Sequence, residues 1–116
     1  MTGLQIEHEV EDGVGILRLS GEARTETVMR FREAANAVRM AGARSYIIDM
    51  ARLDFLDSAS LSVLLTLRAL AIEEGGRMVL SQPRRIVQRV FDSAGLAHIF
   101  QFASDESEAR MYVRAL

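Results

Sequence analysis

The sequence predicts a single α/β domain, a small mixed and mostly parallel β-sheet with about four helices packed largely on one side. Three observations carry this reading. A continuous apolar run, Tyr46-Ile47-Ile48-Asp49-Met50, has the content of a strand covered on both faces. After a polar and aromatic connection at residues 51–56, Asp57-Ser58 precede a long stretch of apolar helix formers at residues 61–74. Their side chains suit a helix start, where the first backbone N–H groups have no partner within the helix. Beyond an opening hairpin, strand and helix patterns alternate to the end of the chain. The resulting order, β-β-α-β-α-β-α-β-α, is that of parallel strands joined by crossover helices. Asp57 and Ser58 therefore fall at the carboxyl end of a central strand, where open α/β sheets build their sites.

Taken in order, residues 4–10 alternate apolar and polar around Leu4, Ile6, His8 and Val10, as a half-buried edge strand does. Glu11-Asp12-Gly13 is a hairpin-type turn, and residues 14–20 form a second strand, antiparallel to the first and ended by Gly21-Glu22. A helix starts at Thr25 or Glu26. Val28, Phe31, Ala35 and Val38 form its apolar stripe, Arg30, Arg32, Glu33 and Arg39 face away, and Gly42 ends it. The central strand and the helix after Asp57-Ser58 come next. Leu61, Val63, Leu64, Leu65, Leu67, Leu70 and Ile72 leave little of that helix polar, so a neighbouring helix or a partner should cover its second face. Gly75-Gly76 stop it, and residues 77–81 form another buried strand. Pro83 stands near the first turn of a helix that carries Ile86, Val87, Val90 and Phe91 and ends at Gly95. Residues 99–102 make a short last strand. Ser104-Asp105-Glu106 cap a final helix with Ala109, Tyr112, Val113 and Leu116 apolar, and Asp105 with Glu108 has capping-box spacing.

The bulk properties narrow the function classes. A chain of 116 residues suits one domain, here residues 1–116, and 49% hydrophobic with 26% charged residues is a globular balance. A net charge of -2 gives no general pull toward nucleic acid or anionic membrane. All fourteen basic residues are Arg. The absence of Cys excludes disulfides, thiolate metal sites and a cysteine nucleophile. Met1-Thr2-Gly3-Leu4-Gln5 lacks a signal-peptide pattern, and no apolar stretch reaches membrane-spanning length, so the expectation is a cytoplasmic protein without membrane insertion.

Catalytic signatures are missing. His8 and His98 read as ordinary residues of two separate strands, and no nucleophile elbow, phosphate loop or dinucleotide fingerprint occurs. Asp49, Asp54 and Asp57 cluster around the strand–helix junction, where an acid/base pair or a Mg²⁺ site is conceivable. The preferred reading gives each a local job: Asp57 caps the helix, Asp54 makes a turn and Asp49 ends a strand. Asp92-Ser93-Ala94-Gly95 repeats the text of Asp57-Ser58-Ala59 but closes a helix, so its Ser meets the negative end of the helix dipole. Ser58 has two readings. It is a plain helix cap worth about 1 kcal/mol. Alternatively it carries a phosphate, whose charge of roughly -1.5 to -2 a helix N-terminus accepts well. With Asp54 and Asp57 that phosphate would form a negative patch. Spacing alone leaves both readings of Ser58 open.

The text Ile47-Ile48-Asp49-Met50 followed by Leu53-Asp54-Phe55-Leu56-Asp57-Ser58-Ala59-Ser60-Leu61 resembles a STAS domain of the anti-sigma factor antagonist type. Gly75-Gly76-Arg77-Met78-Val79-Leu80, Val90-Phe91-Asp92-Ser93-Ala94-Gly95-Leu96 and Ile99-Phe100 extend the likeness over essentially the full chain. The resemblance implies a single STAS-type domain that acts as a binding module rather than an enzyme, without a cofactor. It implies partner switching. The chain binds an anti-sigma factor that is also a Ser/Thr kinase, is phosphorylated by it on Ser58, dissociates, and is reset by a PP2C-type phosphatase; a weak homodimer also fits the family. Glu22, Arg24, Asp54, Asp57, Ala59, Ser60 and Leu61 are then the expected partner-binding residues. Two motifs depart from the family pattern. The usual Asp-Ser-Ser-Gly-Leu reads Asp57-Ser58-Ala59-Ser60-Leu61, which puts the Ser60 side chain where a partner's backbone would approach. The usual Gly-Glu-Leu-Asp reads Gly21-Glu22-Ala23-Arg24, a charge reversal that points to a partner with an acidic counterpart. The rival readings are a STAS subunit docked constitutively on a transport or lipid-trafficking assembly, and a small nucleotide-binding hydrolase, which the missing phosphate loop disfavours.

Overall fold

The computed structural model describes residues 3–114; Leu116, expected on the apolar face of the last helix, lies outside the described residues. The chain opens with a hairpin of β1 (Leu4–Glu11) and β2 (Val14–Ala23). Asp12 and Gly13 at its tip have φ of 52° and 77°, the paired left-handed conformations of the tight hairpin turn that matches strand twist. A 3₁₀ turn (Thr25–Thr27) leads into α1 (Val28–Met40). Then follow β3 (Ser45–Leu56), α2 (Ser58–Glu73), β4 (Met78–Ser81), α3 (Arg85–Ser93), β5 (Gln101–Ala103) and α4 (Glu106–Arg114). The strands lie in the order β1-β2-β3-β4-β5; the first pair is antiparallel and every later pair parallel.

Alternation along β3 sorts the core into two layers. Tyr46, Ile48 and Met50, with Leu17, Leu19 and Leu80 of the flanking strands, pack against Phe31 of α1, Leu64 and Leu67 of α2, and Val87 and Phe91 of α3. On the opposite face Val14, Ile16, Ile47, Val79 and Ala103 meet Ala109 and Val113 of α4, with Tyr112 packed against them. Three helices therefore cover one face and one covers the other, which is why the central strand reads as an unbroken apolar run. Phe91 takes Phe100 and Phe102 edge-on, with ring centroids 5.3 and 5.5 Å away, and so ties the end of α3 to the last strand. Among the described residues no helix is long and apolar enough to cross a membrane.

The boundaries differ from expectation where strands pass through polar text. β3 does not stop at Met50 but runs to Leu56, through two bulges. Arg18 pairs with Asp49 and Ser20 with Arg52; Gly21 pairs with Leu53 and Glu22 with Phe55; each time β3 contributes one extra residue. The residues read as a connection are thus a bent, strongly twisted strand end. Beside it β2 continues through Gly21, which has φ of 94° and where a Cβ would come within 2.0 Å of the Gly3 carbonyl oxygen. At the other edge β5 is Gln101–Ala103, and His98, Ile99 and Phe100 belong to the turn before it, so His98 is not a strand residue. α2 is less enclosed than its composition suggested: Leu61, Val63, Leu64, Leu67 and Ala71 are buried, but Ile72 is 57% exposed.

Candidate functional site

The strand–helix junction is fixed by its backbone before any side chain acts. Asp57 is extended (φ -101°, ψ 179°), and its N–H donates to the Ala23 carbonyl at 3.0 Å, which pins the end of β3 to the end of β2. From there α2 begins at Ser58. The Asp57 carboxylate accepts three hydrogen bonds. Oδ1 takes the Ser60 N–H at 3.0 Å. Oδ2 takes the Thr25 N–H at 2.6 Å and the Thr25 hydroxyl at 3.1 Å. One side chain thereby caps α2 and ties it to the 3₁₀ turn that starts α1. Burial alone works to raise the Asp57 pKa. The donors from Ser60 and Thr25 outweigh it, and the carboxyl is held below its ordinary value.

Ser58 lies exposed in the first turn. The Asp57 amide is used by Ala23, the Ser60 amide by Asp57, and the Leu61 amide by the first intrahelical bond, to the Asp57 carbonyl at 2.9 Å. Among the described residues, the amides of Ser58 and Ala59 are left as the first-turn donors without a protein acceptor. The Ser62 hydroxyl donates to the Ser58 carbonyl at 3.0 Å. The site is therefore a solvent-facing hydroxyl beside open helix N-terminal amides, with the capping carboxylate satisfied by neutral donors.

The other expected residues separate into two groups. Arg24 is exposed, and its Nε donates to Glu22 Oε1 at 2.6 Å. Its guanidinium carbon stands 4.2 Å from the centroid of the Phe55 ring. The hydrogen bond to Glu22 raises the Arg24 pKa further above its ordinary value. Glu22, Arg24 and Phe55 thus form one cluster next to Thr25, exposed at Arg24 and half-buried at Glu22 and Phe55. Asp54 does not make a turn: it is the extra residue of the second β3 bulge, and it pairs with Arg84, whose Nε also donates to the Ala51 carbonyl at 2.9 Å. The negative patch expected from Asp54 and Asp57 is accordingly much reduced, because an arginine matches one charge and three donors solvate the other.

Ser60 and Leu61 do not offer side chains to a partner. Ser60 is wholly buried, its hydroxyl without an acceptor among the described residues, and Leu61 is 6% exposed in the core. Position 60 is the third residue of α2 and turns inward. Ala59 is half-buried. Asp49, mid-strand rather than at a strand end, accepts from the Ala51 N–H at 2.9 Å. The three carboxylates read as a cluster do not converge, and among the described residues no group of three His, Asp or Glu is placed to hold a metal ion. Thr25, Phe55 and Arg84 were not legible in the sequence. Each reaches its partner across the fold, and only the position of Thr25 ahead of a helix gave a local hint.

Comparison with known proteins gives a consistent picture. The sequence profile of the STAS domain matches residues 5–109. The chain is 33% identical over 107 residues to an anti-sigma F factor antagonist of Paenibacillus polymyxa, covering 91% of this chain and 92% of that protein. Among solved structures, the anti-sigma factor antagonist SpoIIAA in its unphosphorylated form is similar with a TM-score of 0.79 and 28% identity, over 98% of both chains. The Bacillus cell fate determinant SpoIIAA in its phosphorylated form gives 0.71 and 27%, over 97% of this chain and 100% of that one.

Proposed function

The chain belongs to the STAS domain family, and from that premise we propose that it is an anti-sigma factor antagonist switched by phosphorylation of Ser58. The observation that carries the reading is the exposed Ser58 at the start of α2, next to two first-turn amides that have no acceptor among the described residues. A similar protein solved in both unphosphorylated and phosphorylated forms supports it. The unmodified chain binds an anti-sigma factor that is a Ser/Thr kinase. The kinase moves the γ-phosphoryl group of ATP to Ser58 Oγ, the hydroxyl proton leaves to solvent, and ADP is released. A phosphatase of the PP2C type hydrolyses the phosphoserine with water, which restores the hydroxyl and releases inorganic phosphate. The chain is substrate and switch in this cycle, not catalyst. Asp57 and Ala59 surround the acceptor, Glu22 and Arg24 form the adjoining contact, Asp54 lies at the Arg84 side, and buried Ser60 and Leu61 support the turn from beneath.

Incubation with ATP and the anti-sigma kinase of the same genome, followed by phosphopeptide mapping, tests this. The expected result is a single phosphate on Ser58, retention of Ser58→Ala on the kinase, and weaker retention of Ser58→Asp. Phosphate on Ser60 or Ser62 with Ser58 untouched, or equal binding of all three forms, overturns it.

A further inference from the structure

α1 and α2 lie side by side on the three-helix face, and each turns one stripe toward the seam between them. On α1 the stripe is Arg32, Ala35, Asn36 and Arg39; on α2 it is Val63, Thr66, Leu67 and Leu70. Both follow the i, i+3, i+4, i+7 spacing of a single helix face. Between them runs a groove of about 190 Å³. Small-molecule sites occupy roughly 300–1,000 Å³, so this groove suits one bulky side chain rather than a metabolite. Two stripes of two turns each, about 10 Å long, form the furrow into which the ridge of a third helix packs.

The chemistry of the walls selects the helix. Val63, Leu67, Leu70 and Ala35 supply an apolar floor, and the charged residues lining the groove, Arg32 and Arg39, are both cationic. Arg39 is incompletely paired. Its Nε is buried with no acceptor among the described residues, and its Nη2 reaches Glu74 only at 3.6 Å. The Arg39 side chain is still 38% exposed, so an incoming carboxylate can make the charge-assisted hydrogen bonds that the long contact with Glu74 leaves unmade. We infer that the α1–α2 groove is a second docking surface, built for an acidic amphipathic helix of a partner protein. That helix inserts one bulky apolar residue over Leu67 and sets carboxylates about two turns apart against Arg32 and Arg39. The groove begins at Val63, five residues or about 7.5 Å along the axis from Ser58, and none of its lining residues belongs to the capped turn. Docking here persists when Ser58 is modified, which makes it a constant tether beside a switched contact.

The test uses ¹⁵N-labelled full chain, reading backbone amides and the arginine Nε–Hε signals. The probe is a helix-stapled 16-residue peptide with Leu at its centre and Glu residues seven positions apart; the control carries Lys in place of each Glu. The acidic peptide should give saturable shifts at Val63, Leu67, Leu70 and Arg39 Nε, and bind at least about tenfold more tightly than the basic control. Arg39→Met should lose most of that preference, and the Arg32→Glu/Arg39→Glu double variant should reverse it, each with an unchanged thermal melt. Ser58→Asp should bind the peptide within twofold of the unmodified chain. Equal binding of the two peptides, shifts centred elsewhere, or loss of binding in Ser58→Asp overturns the inference. So does binding of octanoate in place of the peptide, which would make the groove a small-molecule site, or dilution-dependent shifts at the groove without peptide, which would assign it to a second copy of this chain.

Discussion

The first turns of α2 and α4 start from the same problem and solve it in opposite ways. Both have an Asp ahead of the helix that accepts an N–H three residues on, Asp57 from Ser60 at 3.0 Å and Asp105 from Glu108 at 2.8 Å. In α4 the rest of the turn is filled with charge. Glu106 and Glu108 lie in it, Glu108 reaches back to the Ser104 N–H at 3.0 Å, and Glu106 accepts from Arg18 at 2.8 and 3.1 Å. Arg18 also holds Glu9 at 2.6 Å. In α2 the first turn contains no acidic residue, and the cap is stabilised by uncharged donors from Thr25 and Ser60. The positive end of α4 is already neutralised by its own carboxylates, whereas that of α2 stays available for an anion delivered from outside. The difference teaches that a helix N-terminus becomes a receptive site through what its cap leaves unoccupied.

The largest effect should come from removing the cap that makes α2 receptive. Asp57→Ala deletes the α2 cap and strands the two Thr25 donors, which should lower stability by about 2 kcal/mol, at the upper end of cap substitutions. Urea unfolding measures it. Asp57→Asn keeps an acceptor and should recover part of the loss. A loss under 0.5 kcal/mol for the Ala variant would show that Asp57 does not join α1 to α2 as described.

On the α4 side the effect should be smaller and sensitive to salt. Arg18→Met leaves Glu9 and Glu106 without their shared cation, in a half-exposed setting where ion pairs are worth about 1 kcal/mol or less. At 1 M salt the Debye length falls to about 3 Å, so the cost of Arg18→Met should shrink by about half while that of Asp57→Ala holds. Equal salt sensitivity would erase the distinction between the two helix starts.

What was legible in the sequence follows the same division. The cap of α2 is written within four consecutive residues, Asp57 to Ser60, so local chemistry identified it, while Ser58 as an acceptor rested on the family resemblance. The hairpin turn at Asp12-Gly13 and the capped start of α4 were legible for the same reason. The links that give the site its character were not. Thr25 reaches Asp57 across 32 positions, Arg84 reaches Asp54 across 30 and Arg18 reaches Glu106 across 88. Such pairs depend on strand register, and register was disturbed by bulges that sequence alternation does not announce. The same bulges hid the end of β3, because Arg52 and Asp54 interrupt the apolar pattern without interrupting the ladder. Ser60 was read as a surface side chain for a simpler reason: it is a polar residue in the motif, and only the helical phase of α2 turns it inward, beside half-buried Ala59 and buried Leu61.

Acid should reduce the contribution of both helix starts. The Glu106 carboxyl is held below its ordinary value, chiefly by the hydrogen bond from Arg18 and against the opposing effect of burial. Asp57 is also lowered. A group whose folded pKa is depressed contributes its full stabilisation above the unfolded value, near pH 4 for carboxyls, and loses it as pH falls through the folded value. The stability difference between the unmodified chain and Asp57→Asn should stay constant from pH 7 to about pH 5 and narrow below about pH 4. A difference that widened in acid would reverse the sign assigned to Asp57.

The smallest expected effect is that of a phosphate on the fold itself. At Ser58 the dianion meets first-turn amides without an acceptor among the described residues, and the helix dipole favours it. The repulsion it meets is limited. Asp54 is matched by Arg84, Asp57 already holds three donors, and water screens what remains over about 8 Å at physiological salt. In a complex the partner displaces that water and sets its own groups against the charge, so the penalty falls on binding. The melting temperatures of the two forms should therefore agree within a few degrees, while their affinities for the kinase differ by at least about tenfold, or 1.4 kcal/mol. Hydrogen exchange separates this from the alternative, an order–disorder switch. Protection of the amides at residues 59–65 should survive phosphorylation, and its loss would place the energetic cost in the helix instead of the interface.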